Sequence, residues 1–147
     1  MKTFILTTIL ASLLSITSLS AGKPHKVVYK NVKNIETGYI KEYITYIEET
    51  SQIIDKIAYQ CDTNGKVQKR TFYKWDNRDG WKAIQKYEYA YNDEKQVTCI
   101  THTKWDRKAK DWSTKEERLD HIYNNEGRLV AVNQVEINNL SEFLIQK

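Results

Sequence analysis

The feature that most narrows what this chain can fold into is a nine-residue unit that occurs three times. It reads Tyr59-Gln60-Cys61-Asp62-Thr63-Asn64-Gly65-Lys66-Val67, then Tyr89-Ala90-Tyr91-Asn92-Asp93-Glu94-Lys95-Gln96-Val97, then His121-Ile122-Tyr123-Asn124-Asn125-Glu126-Gly127-Arg128-Leu129. The closing aliphatic residues Val67, Val97 and Leu129 fall 30 and 32 residues apart. A repeat at near-constant spacing marks one supersecondary unit used over and over. Here the unit is a hairpin turn. Its Asp or Asn can accept backbone N–H groups inside the turn. Gly65 and Gly127 supply the left-handed residue that follows a type I turn. Lys95 takes that place in the second unit, where positive φ costs about 1 kcal/mol or more.

The flanks alternate with period two, the mark of half-buried strands. Tyr87, Tyr89 and Tyr91 share one face, with Glu88 and Ala90 on the other. Alternation likewise puts Val67, Thr71, Tyr73 and Trp75 on one face against Gln68, Arg70 and Lys74. The unit has a second reversal built on tryptophan. Trp75-Asp76 and Trp105-Asp106 each lie eight residues beyond Val67 and Val97, and Trp81 and Trp112 follow across polar loops. Strands are predicted at 26–32, 38–48, 52–61, 66–75, 81–91, 96–105, 112–123 and 128–137. The longer second loop shifts strand parity, so a bulge is expected between Trp112 and His121. The fold class is all-β: an antiparallel meander of repeated hairpins, as a single curled sheet or a two-layer sandwich. Residues 140–147 are a last short strand or a tail.

Residues 1–20 read as a leader rather than as structure. Lys2 is a basic start, Phe4 to Leu14 an apolar core, and Ser18 and Ser20 are the small residues before a cleavage point after Ser20. Thr7, Thr8, Ser12 and Ser15 interrupt a segment already short for a membrane span. The chain is therefore expected to be exported, to the periplasm or outside the cell, as a single all-β domain over 21–147. No later apolar run has spanning length, so no membrane span is expected after cleavage. The full chain carries +4, and removal of Lys2 leaves +3, with acids and bases interleaved. The absence of a basic stripe argues against nucleic acid as partner.

Cys61 and Cys99 are the two cysteines. In an exported chain they could form one disulfide closing a loop of about 38 residues, worth roughly 3–4 kcal/mol. In a flat meander they lie three strands apart, roughly 14 Å, so a bond requires the sheet to curl. The alternative is two thiols acting as small apolar side chains.

Seven residues make a candidate ligand surface: Trp75, Asp76, Asn77, Trp81, Trp105, Asp106 and Trp112. Indoles stack on sugar rings, and the neighbouring Asp and Asn side chains can bind hydroxyls. The competing reading is that paired indoles clasp the base of each hairpin, and the repeat favours it. Among the histidines, His121 substitutes for the tyrosine of the unit, His102 sits mid-strand and His25 lies near the new terminus. No ligand spacing of a metal site occurs, so no metal or cofactor is expected. Glu48-Glu49 and Glu116-Glu117 are adjacent in sequence and point to opposite faces of a strand, which does not suit paired acid–base work. Glu116 and Asp120 share a face as solvated charges. Ser51, Ser113 and Ser141 lie in no nucleophile elbow. No catalytic residue emerges. Asn139-Leu140-Ser141 matches a glycosylation acceptor relevant only to a eukaryotic secretory route.

The leader, the tyrosine-turn-aliphatic unit and the Trp-Asp…Trp segments together resemble an uncharacterised secreted family of Bacteroides-type bacteria, domain of unknown function 3836, over roughly residues 25–137. Tyr123-Asn124-Asn125-Glu126-Gly127-Arg128-Leu129 is also similar to the tyrosine-aspartate (YD/Rhs-type) repeats of bacterial surface shells. The period here is longer, which makes that second likeness one of local turn chemistry. Neither resemblance supplies a catalytic residue. The Trp-Asp pairs do not fit a propeller, whose period is longer.

The sequence thus implies a small, exported, non-enzymatic binding or scaffold module whose partner is a protein or a glycan. The alternative is a glycan-binding module using the tryptophan loops, and a weaker one is a hydrolase or inhibitor. Exposed edge strands could support self-association.

Overall fold

All three repeated reversals close as hairpins of one design. In the computed structural model, which describes residues 22–139, Gly65, Lys95 and Gly127 donate their N–H to the carbonyls of Asp62, Asn92 and Asn124, each at 3.0 Å. The same three Asx residues cap their turns with side-chain oxygen. Asp62 Oδ1 accepts from Asn64 N and Lys66 N (2.9 and 2.8 Å). Asn92 Oδ1 accepts from Gln96 N (2.9 Å), and Asn124 Oδ1 from Glu126 N and Arg128 N (3.0 and 2.9 Å). The fourth turn residue is left-handed each time, with φ of 86° at Gly65, 66° at Lys95 and 74° at Gly127.

These turns lay out eight strands: β1 (Lys26–Ile35), β2 (Gly38–Ile47), β3 (Gln52–Asp62), β4 (Val67–Asp76), β5 (Gly80–Tyr91), β6 (Val97–Asp106), β7 (Asp111–Tyr123) and β8 (Leu129–Asn138). They form one antiparallel sheet in chain order, β1 to β8. No α-helix occurs among the described residues. β1 runs three residues beyond its predicted end because only Glu36 and Thr37 separate Ile35 from its partner Gly38. The leader predicted over residues 1–20, and the last short strand or tail predicted over 140–147, lie outside the described residues.

A bulge follows each repeated turn. Gln68, Thr98 and Val130 are the extra residues, opposite the steps Gln60/Cys61, Ala90/Tyr91 and Ile122/Tyr123. This corrects the face predicted for Val67. Gln68 breaks the alternation, so Val67 stands with its partner Cys61, on the opposite face from Thr71, Tyr73 and Trp75. The bulge expected after Trp112 is present: Ser113, Thr114 and Lys115 stand against Lys104 alone. Ile84 bulges β5 at the matching place in the first tryptophan hairpin.

Register then divides the sheet into two faces. One carries Tyr73, Trp75, Trp81, Trp105 and Trp112, and the other Tyr43, Tyr59, Tyr87, Tyr89, Tyr91 and Tyr123. The two-layer arrangement does not form. Both faces interleave charges with their aromatics, Lys56, Lys86 and Glu116 on the tryptophan face and Lys41, Arg70 and Glu117 on the tyrosine face. Covering either with a second sheet would desolvate those groups. Among the described residues only Val27 and Cys61 are buried apolar residues, and only Thr71 and Thr103 buried polar ones.

Where ladders end, tyrosines close them. The β4–β5 pairing stops at Lys69 and Glu88, and Tyr91 Oη donates to the Val67 carbonyl at 2.6 Å beyond it. The β6–β7 pairing stops at Cys99 and Asp120, and Tyr123 Oη donates to the Val97 carbonyl at 2.7 Å. Cys61 and Cys99 are both free thiols. They sit in β3 and β6 on opposite faces, so the bridge left open by the sequence does not form.

Two predictions follow from the turns. Replacing Lys95 by Gly relieves its left-handed backbone and should raise stability by about 1 kcal/mol, while Gly127→Ala lowers it by a similar amount. Urea midpoints measure both, and an unchanged midpoint for Lys95→Gly would contradict the assigned strain. The second concerns acid. The backbone N–H of Lys66 beside Asp62 holds that carboxyl below its ordinary pKa, as the N–H groups of Arg78 and Ala109 do for Asp76 and Asp106 in the tryptophan loops. A folded-state pKa below the unfolded value adds stability above about pH 4 that is lost as pH falls through the lowered value. Asp62→Asn keeps the cap, as Asn92 and Asn124 show, and should flatten the acid limb while leaving the neutral-pH midpoint nearly unchanged. An acid limb identical to the parent's would refute this.

Candidate functional site: a tryptophan-walled groove

Between the two tryptophan hairpins the sheet holds a groove of about 740 Å³. Its residues are placed by register. Tyr73 pairs with Ala83 and Trp75 with Trp81 across β4 and β5. Trp105 reaches the same groove from β6. Ala83 is the small residue between Tyr73 and Trp105. The strands on either side of β5 lie roughly 10 Å apart, so a slot one strand wide opens over Ala83 between aromatic walls.

Each indole pair is a clasp. Trp75 and Trp81 meet edge to face at 5.1 Å and 75°, and Trp105 and Trp112 at 5.2 Å and 89°. Such pairs contribute about 0.5–1.5 kcal/mol beyond area burial. Two of the four also carry a cation. Lys56 Nζ lies 4.8 Å from the Trp81 ring and 4.7 Å from Tyr73, and Lys86 Nζ lies 5.1 Å from Trp112. The clasps do not bury the indoles: all four stay half-buried.

The seven residues singled out from sequence divide unequally. Trp75, Asp76, Trp81 and Trp105 line the groove, whereas Asn77, Asp106 and Trp112 do not. Asn77 accepts from Trp75 Nε1 at 3.1 Å and so orients that indole. Asp106 Oδ1 accepts from Lys108 N and Ala109 N (2.8 and 3.2 Å), making it the cap of its own loop. Asp76 caps the equivalent loop through Arg78 N and Asp79 N (2.9 and 3.1 Å) and also holds Lys82 Nζ at 3.1 Å. Trp112 backs Trp105 from behind.

The groove has further lining residues beyond these four. Tyr73 shares its parity with Trp75 and was legible as a neighbour. Arg107 and Lys110 come from the second loop. Lys82 is tied to Asp79 and Asp76 (2.8 and 3.1 Å), which raises its pKa, Asp79 first. Among the described residues Arg107 and Lys110 have no such acidic partner, so they leave the rim cationic. The histidines and carboxylates weighed from the sequence are engaged elsewhere. His102 lies flat on Tyr87 (4.6 Å, 14°) between Gln85 Oε1 (3.0 Å) and Glu117 Oε2 (3.2 Å). Asp120 is held by Arg118 at 2.9 Å, and Glu48 and Glu49 by His25 (2.6 and 3.1 Å). Among the described residues no three His, Cys, Asp or Glu side chains are grouped to hold a metal, and no helix is long and apolar enough to cross a membrane.

No protein-family model and no curated protein matches the chain. Two solved structures are similar to it. A DUF3836 family protein from Parabacteroides distasonis ATCC 8503 shares 19% identity at a TM-score of 0.44, over 84% of this chain and 100% of its own. A protein with unknown function from Bacteroides fragilis NCTC 9343 shares 16% identity at a TM-score of 0.47, over 80% of this chain and 85% of its own. The first belongs to the uncharacterised family that the sequence resembles, and neither description states an activity.

Proposed function

We propose that this chain is an exported, non-enzymatic binding module that takes a sugar ring of a glycan into the slot between Tyr73 and Trp105. The observation that carries the reading is the slot itself. Two aromatic walls flank a small alanine, and the flanking indoles keep exposed area although each is already clasped to a partner. A pair purely for stability gains most when its rings are covered. Apolar ring faces with a polar rim are what a pyranose needs: its C–H face packs on the aromatic ring, and its hydroxyls meet Asp79, Lys82 and Arg107 at the edge. The non-enzymatic reading is supported by the carboxylates of the groove. Asp76 is committed to backbone amides and Asp79 to Lys82, which leaves no free acid–base pair facing the slot. The leader over residues 1–20 supports the exported setting in which glycans are met.

Intrinsic tryptophan fluorescence with a panel of neutral and acidic oligosaccharides tests the proposal. At least one sugar should shift the emission saturably. Trp105→Ala should weaken that binding about tenfold or more, whereas Val28→Ala, on β1 and outside the groove, leaves it unchanged. Equal binding by the parent and Trp105→Ala, or no response to any sugar, would overturn the assignment.

A further inference from the structure

We propose that the glycan this groove takes is acidic, its carboxylate or sulfate held by Arg107 and Lys110 while a ring packs in the slot. This rests on the slot reading of the groove and adds the charge of the ligand to it. The two tryptophan loops are two versions of one turn, and their differences are what point to an anion. Asp76 caps the first loop through Arg78 N and Asp79 N, and Asp106 caps the second in the same way through Lys108 N and Ala109 N. Gly80 and Lys110 then take the same left-handed place, at φ of 78° and 54°.

On that common frame Asn77 corresponds to Arg107, Asp79 to Ala109 and Gly80 to Lys110. Each exchange makes the second loop more positive by one charge, and only the added Asp111 works the other way. Asp111 does not line the groove, and its Oδ1 accepts from Trp112 N at 2.7 Å. Arg107 and Lys110 do line it, and both are exposed. The second loop has a third cation, Lys108, which does not reach the groove.

The groove is therefore polarised along its length. Its acids, Asp76 and Asp79, both belong to the first hairpin and both hold Lys82 (3.1 and 2.8 Å). Its unpaired loop cations belong to the second, where Arg107 lies two residues beyond Trp105 and Lys110 two before Trp112. A ring seated between Tyr73 and Trp105 can place hydroxyls against the first loop and an anionic group against the second. The guanidinium fork of Arg107 matches two oxygens of a carboxylate or a sulfate, and Lys110 adds a point charge. A neutral sugar would leave both cations unused.

Calorimetric titration of the purified protein at low salt tests this with two matched pairs of probes. Oligogalacturonate is compared with its methyl ester, and a sulfated dextran oligosaccharide with the unsulfated one, so the pair that discriminates identifies the anion. At least one acidic probe should bind about tenfold tighter than its neutral counterpart, with the advantage shrinking as salt rises. Arg107→Asn combined with Lys110→Gly, which gives the second loop the residues of the first, should remove that advantage and leave the neutral probe's affinity unchanged. Lys108→Gln should change nothing, and Trp105→Ala should weaken both members of the pair. Equal affinity within both pairs, weakened by Trp105→Ala, would overturn the anion preference and leave the slot standing. A preference that survives the double variant, or that Lys108→Gln also removes, would overturn it as well. No binding by any probe, or binding indifferent to Trp105→Ala, would overturn the slot reading with it.

Discussion

A sheet without a second layer must obtain its burial from side chains on neighbouring strands of the same face, and the whole molecule follows from that constraint. On the tyrosine face one row of paired residues crosses the sheet: Lys41, Tyr59, Arg70, Tyr87, His102, Glu117 and Glu136. From Arg70 to Glu117 its members are chemically matched. The Arg70 guanidinium lies over Tyr87 at 4.7 Å and Phe72 at 5.1 Å, Tyr87 stacks on His102, and His102 meets Glu117. Each cross-strand pair contributes roughly 0.2–1 kcal/mol, so many small terms replace one core. The other face does the same with its two indole clasps and with Lys56 and Lys86 lying across aromatic rings.

Because strands pair only with their sequence neighbours, the structure is nearly one-dimensional, as in repeat proteins. Coupling between units is therefore local and visible. Tyr91 and Tyr123 each bond a carbonyl of the preceding unit, and Gln96 Nε2 donates to the Gly127 carbonyl at 2.8 Å, joining adjacent turns. The first unit differs because Cys61 occupies the tyrosine slot. It is 2% exposed, and the hydroxyl of its cross-strand partner Tyr39 reaches Gly65 instead. The same openness that removes the core leaves a groove on one face.

Much of this was legible in the residues. Asx-to-Gly spacing located the three turns, Trp-Asp spacing located the paired indoles, and the one-residue difference between tryptophan loops located the bulge at Ser113–Lys115. The bulges at Gln68, Thr98 and Val130 were not legible. They arise from how a type I turn with a left-handed residue feeds a twisted ladder, and nothing about a Gln, a Thr or a Val announces them. Alternation alone therefore puts Val67 on the wrong face. The groove was half legible. Trp75, Trp81 and Trp105 stood out as tryptophans, but Lys56 comes from β3 and Ala83 from mid-strand, and only register brings them to the indoles. Likewise the choice between one layer and two depends on which face each charge occupies, which alternation alone misplaces after every bulge.

Residues 22–139 form one sheet, with no layer packed against it among the described residues. Nuclear Overhauser contacts between assigned side chains test it most directly. Contacts are expected between β1 and β2, β2 and β3, and so on to β7 and β8, including Tyr87 with His102 and Trp105 with Trp112, and none between strands distant in order, such as β2 and β7. A set of contacts joining β2 or β3 to β6 or β7 across a face would mean that the sheet folds over itself, and would contradict it.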